Sequence, residues 1–273
     1  MYKTLLLIVN PKAGRGKSSP GLFEAASIFS EAGYLVSIRR TQGPKDATRL
    51  ALELGPQFDA VVCCGGDGTL NETVAGLAQL ESVPSTVGYI PAGSTNDFAA
   101  SLGLPSDPGE AARRILEGTP RPLDLGNFDG RPFVYVASFG AFAKASYSAP
   151  QSVKNDLGHL AYILEGVKDL DTLRPYKAKF TTESETLEGS FLFGAVTNST
   201  SVGGLVKLPR DQVTMDDGKF ELLLVPTPKT IPALHALVRS LTFQDFTGEA
   251  LLLRHVSRVE VEMPVAQIGR AHV

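Results

Sequence analysis

Three turns that carry glycine and polar side chains each follow a short apolar run in the first half of the chain. The clearest has the sequence GGDGT at residues 65–69, after the apolar run 60–64. Closely spaced glycines permit a backbone path that side chains would block. The N–H groups of such a loop, with the N-terminus of a following helix, form a site for phosphate. Asp67 would repel a phosphate unless a cation lay between them, which indicates Mg²⁺ bound directly or through water. The alternative is a tight turn closed by the Asp67 side chain.

The first turn has the sequence NPKAGRGK at residues 10–17. Residues 11–18 match the phosphate-binding pattern GxxxxGK[ST] except that Pro11 stands at the leading glycine. Proline has no N–H to offer to a phosphate, so we interpret the turn as one in which Gly14 lets the backbone come close to phosphate. A P-loop and a basic turn without a ligand are the alternatives.

The third turn lies within IPAGSTNDFAASLGL at residues 90–104. Ser94 and Thr95 offer hydroxyl groups, and Asn96 and Asp97 stand where a helix would begin. Helix capping by Thr95 or Asn96 would explain this turn by itself. Beside the other two turns, contact with a ligand is an equal alternative.

The first half alternates strand-like and helix-like patterns, which predicts an α/β domain around a mostly parallel sheet. Continuous apolar runs are typical of strands buried on both faces. Because the carboxyl ends of parallel strands meet at one edge of a sheet, the three turns should lie together there. The predicted strands are 4–9, 34–40, 60–64 and 87–90, and the predicted helices are 20–32, 45–54, 70–80 and 110–117.

The second half has strand patterns without regular crossovers, which predicts an antiparallel β-sandwich. Pro, Gly and Asp cluster at 121–130, so we place an α/β ATP-binding domain at 1–125 and a β-rich domain at 126–267. The predicted strands are 131–138, 176–182, 187–197, 219–225 and 251–263, and the predicted helices are 157–170 and 231–241.

The composition is that of a globular protein, with 43% hydrophobic and 20% charged residues. The net charge of −3 argues against a nucleic-acid partner, which would favour a basic excess. No apolar segment approaches the length of a membrane span. Cys63 and Cys64 are neighbours in one predicted strand and point to opposite faces, so we expect buried, reduced thiols in a cytoplasmic protein.

In content and order, these motifs resemble those of the diacylglycerol kinase catalytic family, which includes bacterial lipid kinases and the sphingosine and ceramide kinases. NPxxG at 10–14, GGDGTLNE at 65–72 and PxGSTNDFA at 91–99 follow the first, third and fourth predicted strands. The likeness continues through LDLG at 123–126, VTNS at 196–199 and MDDGKF at 215–220. GGDGT by itself also occurs in NAD kinases, whereas GGDGTLNE followed by GSTNDFA is much more specific.

The resemblance implies a two-domain lipid kinase that transfers the γ-phosphoryl group of ATP to a lipid hydroxyl, with diacylglycerol as the leading acceptor. Asp67 would be its catalytic residue, in a network of phosphate and metal. Ser94 stands where bacterial members often have threonine and keeps the hydroxyl. Carried over by position, the nucleotide site comprises Asn10, Pro11, Lys12, Ala13, Gly14, Thr41, Gly65, Gly66, Asp67, Gly68, Thr69, Leu70, Asn71 and Ser94.

The resemblance also implies a structural Mg²⁺ near the DDG turn, held by the backbone of Thr214 and Lys219 and by the carboxylate of Asp217. Water would link this ion to Asp67. Asp-Gly is also a strong hairpin signal, and both interpretations can hold together. The expected lipid partner places the protein in the cytoplasm, transiently at the membrane surface, and a homodimer is retained as an option.

The general base of the family is a glutamate in an Asp-Gly-Glu segment near the C-terminus, and the chain has no such segment. The last six residues, IGRAHV at 268–273, match what a common sequencing adapter would encode. We therefore expect a non-native tail, a missing native C-terminus and poor activity, since loss of a general base costs about two to four orders of magnitude in rate. An ordinary frayed tail is the alternative.

Two other functions stay open on the sequence. An NAD kinase would share GGDGT and a two-domain plan but phosphorylate a soluble acceptor. A non-catalytic nucleotide-binding module would bind ATP without turnover.

Overall fold

The computed structural model of the protein describes residues 3–16, 18–81, 87–140, 173–203 and 206–264. The chain forms two compact units, Met1–Val134 and Tyr135–Val273. This division falls later in the chain than the boundary predicted after Leu125. The predicted helix at 157–170 and the tail at 268–273 lie outside the described residues.

A four-stranded parallel sheet forms the centre of the first unit. Its strands are β1 (Lys3–Val9), β2 (Tyr34–Arg40), β3 (Ala60–Gly65) and β4 (Val87–Pro91), and their order across the sheet is β2-β1-β3-β4. The predicted strands are confirmed, with end residues that differ by one position at most. The apolar runs in β1 and β3 are buried along their length because helices cover both faces of the sheet.

The described residues of this unit form five α-helices: α1 (Ser18–Glu31), α2 (Asp46–Leu54), α3 (Asp67–Leu77), α4 (Asp97–Leu102) and α5 (Pro108–Glu117). Helices α1 and α5 share a core with Leu5 and Leu7 of β1. Helices α2 and α3 share a second core with Leu6 and Ile8, on the opposite face. The alternation of side chains along β1 therefore divides the apolar residues between two layers of helices.

The adjacent thiols of β3 are buried and free, as the sequence predicted. Cys64 lies in the core beneath α1 and α5. Burial raises the pKa of Cys64 to about 11, so its thiol stays protonated at neutral pH.

A short hairpin closes the first unit, formed by β5 (Gly126–Phe128) and β6 (Arg131–Phe133). The single strand predicted at 131–138 is wrong, because the chain leaves β6 at Val134 and enters β7 (Val136–Gly140) in another sheet. The N–H of Val134 donates to the side chain of Asn71 and not to a neighbouring strand.

A six-stranded antiparallel sheet dominates the second unit. The remaining strands of this sheet are β8 (Tyr176–Thr182), β9 (Thr186–Thr197), β12 (Phe220–Pro226), β13 (Leu252–Val256) and β14 (Val259–Glu262), and its order is β13-β12-β9-β8-β14 with β7 also paired to β9. A separate ribbon joins β10 (Ser201–Val202) to β11 (Val206–Lys207). The predicted order of a parallel α/β region before an antiparallel region is confirmed.

The strand predicted at 251–263 is also wrong as one element. It divides into β13, which pairs with β12, and β14, which pairs with β8 at the other edge of the sheet. The chain turns between them at Ser257, whose N–H and hydroxyl both donate to Glu183.

The sheet of the second unit has a core on each face. Helix α6 (Ile231–Phe243), which the sequence placed at 231–241, contributes Leu234, Leu237 and Leu241 to one core. The other core includes Phe139, Phe180 and Phe191, whose rings contact one another. Within the described residues, no helix has the length and apolar character needed to cross a bilayer.

Candidate functional site

The three glycine turns lie together at the carboxyl edge of the parallel sheet, as predicted. Asn10 follows β1, Thr41 follows β2, Gly66 follows β3 and Ala92 follows β4. Backbone hydrogen bonds join neighbouring turns, from Asn10 N to Cys64 O at 2.9 Å and from Ala92 N to Gly65 O at 2.7 Å. The order of the sheet reverses between β1 and β3, and ligands of open α/β sheets bind at such a point.

The side chain of Asn10 holds the first turn against the second. Its amide nitrogen donates to Thr69 Oγ1 at 3.0 Å, and its amide oxygen accepts from Lys12 N at 3.0 Å. Thr41 N donates to Val9 O at 2.9 Å, which places Thr41 beside Asn10 at the end of the sheet. Lys12 is exposed, so its ammonium group is available to an anion at this edge.

Gly14 allows the first turn to approach the third. Its φ of 54° lies in the left-handed region. A Cβ at this position would lie 2.4 Å from Ala92 O, a distance that no side chain could accept. Gly14 therefore allows a close approach to the third turn, and its predicted approach to phosphate stays a prediction.

The glycines of GGDGT serve different purposes, since a side chain would be crowded at two of them, as the sequence analysis expected, but not at the third. None has a left-handed φ. A Cβ on Gly65 would collide with the Thr69 side chain at 2.5 Å, and one on Gly66 would lie 3.2 Å from Gly93 Cα. A Cβ on Gly68 would meet nothing within 4 Å.

Gly68 therefore has open space above it, at the N-terminus of α3. Its N–H has no hydrogen-bond partner among the described residues. An unpartnered N–H group at the start of a helix can bind a phosphate oxygen. Ser94, at the tip of the third turn, is exposed and offers a hydroxyl group. The residues at this edge therefore fit a phosphate chain.

Asp67 connects the second and third turns. Its two carboxylate oxygens accept hydrogen bonds from the backbone N–H groups of Asp97 at 3.0 Å and Phe98 at 3.1 Å. Asp67 thereby caps α4 from a distant part of the sequence. The alternative of capping by Thr95 or Asn96 is wrong, because Asn96 forms no side-chain cap and pairs instead with the backbone of Gly93.

The pKa of the Asp67 carboxyl group differs from that of an ordinary aspartate. Burial, with a contribution from the negative charge of Asp97, raises the pKa of Asp67 to about 6 in spite of the backbone N–H donors. The group is therefore mainly ionised at neutral pH. A carboxylate can accept about four hydrogen bonds, so these backbone donors leave capacity for water or a cation.

Asn71 is buried and its amide oxygen accepts from Val134 N at 3.0 Å. This bond attaches α3 to the last residue of the first unit. Leu70, also buried, packs in the interior. The structure thus surrounds these two predicted site residues with protein, whereas Lys12, Gly68 and Ser94 are exposed.

The predicted metal residues lie in the second unit, in one turn that leads into β12. Asp217 Oδ1 accepts from Lys219 N at 3.0 Å, and Asn198 donates to Met215 O at 3.2 Å. Thr214 and Lys219 are exposed. Within the described part of the chain, no group of three His, Cys, Asp or Glu side chains could hold a metal. One carboxylate with backbone carbonyls and water is nevertheless sufficient for Mg²⁺.

Glu221, in β12, is a residue of this region that the sequence analysis missed. It is 1% exposed, and its Oε2 atom is buried without a hydrogen-bond partner in the described residues. Burial, with a contribution from the negative charge of Asp217, raises the pKa of Glu221 to about 8. A glutamate within the apolar run FELLLVP was the available signal. An orphaned carboxyl oxygen on the strand that follows the 214–219 turn fits a cation at this turn.

Comparisons with known proteins agree with this geometry. A family described as "Diacylglycerol kinase catalytic domain" matches residues 4–128. A diacylglycerol kinase of Bacillus subtilis (strain 168) is 34% identical over 263 residues, which cover 96% of this chain and 86% of the relative. A diacylglycerol kinase of Staphylococcus saprophyticus is 32% identical over 226 residues, which cover 82% of this chain and 73% of the relative. A crystal structure of a diacylglycerol kinase from Bacillus anthracis str. Sterne matches with a TM-score of 0.71 and 25% identity, over 96% of this chain and 86% of that one.

Proposed function

The chain belongs to the diacylglycerol kinase family of lipid kinases, and on that premise we propose that it transfers the γ-phosphoryl group of ATP to the free hydroxyl of diacylglycerol. Diacylglycerol is the proposed acceptor because the relatives named above are diacylglycerol kinases. The main support for an ATP site is that three turns meet where the strand order of the parallel sheet reverses. At this place Gly68 has open space beside it and an unpartnered N–H.

The proposed nucleotide site uses the groups that remain accessible at this edge. The N–H of Gly68 and the hydroxyl of Ser94 would bind phosphate oxygens, and the ammonium group of Lys12 would offset their charge. Asn10, Gly14, Gly66 and Asp67 would act by fixing the turns relative to one another. Phosphoryl transfer depends mainly on positioning and charge neutralisation, and these residues supply both.

The proposal includes Mg²⁺ in two roles: one ion would accompany ATP and neutralise charge on its phosphates, and another would hold the 214–219 turn. Thr214, Asp217 and Lys219 would provide two backbone groups and one carboxylate at that turn. Asp67 would remain ionised at neutral pH and hold water on its free lone pairs.

Because diacylglycerol is a membrane lipid, we place the reaction at the cytoplasmic membrane surface, with a transiently bound protein. A homodimer is part of this proposal and is tested by sedimentation.

The direct test measures binding and acceptor choice separately. Isothermal titration with Mg·ATP should give saturable binding to the protein. Incubation with radiolabelled ATP and a series of diacylglycerol, phosphatidylglycerol, sphingosine and NAD should label diacylglycerol, at the low rate expected of a chain that lacks the Asp-Gly-Glu segment. Labelling of NAD in preference to every lipid would replace the proposal with an NAD kinase, and the absence of Mg·ATP binding would reject the kinase site.

A further inference from the structure

The carboxyl group of Glu221 is almost completely buried. Glu221 lies on the central strand β12, opposite Thr197 of β9 and His255 of β13. It shares its face of the strand with Leu223 and Val225, which belong to the core beneath α6. A carboxyl group in such surroundings is unfavourable unless it is neutralised or bound.

Ion pairing does not explain the burial of this group, and hydrogen bonding leaves one of its oxygens without a partner. Glu221 takes part in none of the ion pairs found among the described residues. Its Oε2 atom has no hydrogen-bond partner there. A buried carboxyl oxygen without a partner, on a strand that begins directly after the 214–219 turn, is a group that a divalent cation at that turn would stabilise.

Further oxygen atoms lie in the 214–219 turn and on the strand next to Glu221. The backbone carbonyl of Met215 is held by Asn198, which is itself fully buried. Thr197, opposite Glu221, is also fully buried and donates its hydroxyl to Tyr135 O at 2.9 Å. Mg²⁺ prefers oxygen ligands and is often held by one or two carboxylates with water completing its shell. The start of β12 therefore has the chemistry of a magnesium site with a buried side and an exposed side.

We propose that Glu221 is a further ligand, directly or through one water molecule, of the divalent cation held by the 214–219 turn. This inference rests on the cation site of the proposed function and adds a carboxylate that the family resemblance did not supply. Asp217 holds the cation from the exposed side and Glu221 holds it from the core, so the ion fixes the turn to the central strand of the sheet.

The test is cation binding in the absence of nucleotide. Mn²⁺ titration followed by electron paramagnetic resonance, and Mg²⁺ competition, should show a site in the wild-type protein. Glu221→Gln should weaken that site by about 10-fold or more, the loss typical of altered metal-site residues. Glu260→Gln is the matched control because Glu260 is exposed on β14 of the same sheet, and its affinity should equal that of the wild type.

A purely structural role of Glu221 would give a different pattern. Glu221→Gln would then change the melting temperature equally with Mg²⁺ and with chelator, whereas the proposal requires that the variant lose the increase produced by Mg²⁺. Equal Mn²⁺ affinity in wild type and variant would overturn the proposal. So would a wild-type protein that binds no cation without nucleotide, although Mg·ATP binding at the first unit would then stand by its own titration.

A measurement on the wild-type chain covers the case in which Glu221→Gln does not fold. The carboxyl-carbon NMR signal of Glu221, assigned with Glu221→Asp, should move when Mg²⁺ is added. An unchanged signal at saturating Mg²⁺ would overturn the proposal.

Discussion

Asp67 shows how one side chain of the site combines a structural and an electrostatic role. Its carboxylate oxygens bind the N–H groups that begin α4, so removal of this group would loosen the third turn. The same group lies near Asp97, and its pKa is raised to about 6. At neutral pH, the site therefore carries a partly buried negative charge that a cation would offset.

The raised pKa of Asp67 predicts a pH dependence of stability. The ordinary pKa of aspartate is about 3.9, so the folded state binds the proton more tightly than the unfolded state. The free energy of unfolding should therefore fall as pH rises from about 4 to about 6, with a contribution from Asp67 on the order of 2 kcal/mol. Urea denaturation of Asp67→Asn across this range should lack that contribution.

Asp59→Asn is a control of opposite sign for this measurement. The N–H and hydroxyl of Thr4 hydrogen-bond to Asp59 and lower the pKa of its carboxyl group. Asp59 therefore contributes stability that is present above the ordinary pKa and is lost as the solution becomes more acidic. A slope between pH 4 and 6 that is the same in Asp67→Asn and wild type would contradict the assignment.

A substitution at Gly68 should weaken ligand binding without lowering the stability of the protein. Gly68→Ala adds a methyl group where nothing lies within 4 Å, in a helical position without left-handed φ. The variant should be as stable as the wild type or more stable by up to about 1 kcal/mol, because alanine is the better helix former. Its methyl group would occupy the proposed phosphate space, so calorimetry should show at least about a tenfold loss of Mg·ATP affinity, or 1.4 kcal/mol.

Gly248→Ala is the matched control for this loss. Gly248 also has open space around it and no left-handed φ, and it lies in the second unit. Its variant should bind Mg·ATP as the wild type does. Full affinity in Gly68→Ala would show that the phosphates do not lie above α3.

At the scale of elements, the position of α3 is fixed by its contact with α2. Thr48 of α2 donates its hydroxyl to Glu72 O at 2.9 Å, and Glu72 Oε1 accepts from Lys45 N at 2.8 Å. Gly76 permits the close packing, since a Cβ there would lie 2.3 Å from Thr48 O. Helix α3 carries GGDGT at its N-terminus, so this packing also sets the position of the proposed phosphate site.

Gly76→Ala should disturb this packing. The added methyl group meets backbone atoms, which cannot rotate away, so we expect a loss of roughly 2 kcal/mol or more in the free energy of unfolding. Urea denaturation measures the change, and Gly68→Ala on the same helix provides the comparison of opposite sign. A Gly76→Ala variant as stable as the wild type would contradict the tight contact of α2 with α3.

At the scale of the whole molecule, each unit has its own hydrophobic cores. The proposed nucleotide residues lie in the first unit and the proposed cation turn lies in the second. A ligand stabilises the part of the protein that binds it, by mass action. The two proposed sites should therefore be distinguishable within the intact chain.

Amide hydrogen exchange can make that distinction. ATP with chelator should slow exchange most at residues 10–14, 65–71 and 92–98. Mg²⁺ without nucleotide should slow exchange most at 214–221. If Mg²⁺ alone protected only the glycine turns and left 214–221 unchanged, the cation would belong to another site.

The sequence determined most of the first unit because its signals are local. Apolar runs such as 4–9 must be buried on both faces, and glycine at Gly14 and Gly103 marks turns that have left-handed φ in the structure. The edge at which the three turns meet follows from the parallel arrangement of the strands. The order of the motifs also identified the family.

Only the tertiary structure decided which polar groups have a hydrogen-bond partner and which have none. The capping of α4 by Asp67, the bond from Val134 to Asn71 and the orphaned oxygen of Glu221 join residues that are distant in sequence or depend on burial. The runs 131–138 and 251–263 look continuous as sequence, yet each divides between two pairings because the neighbouring strand differs on either side of the turn. The local sequence pattern indicates which secondary structure a segment prefers. The residues that pack against the segment in the fold determine its hydrogen bonds and its electrostatic environment.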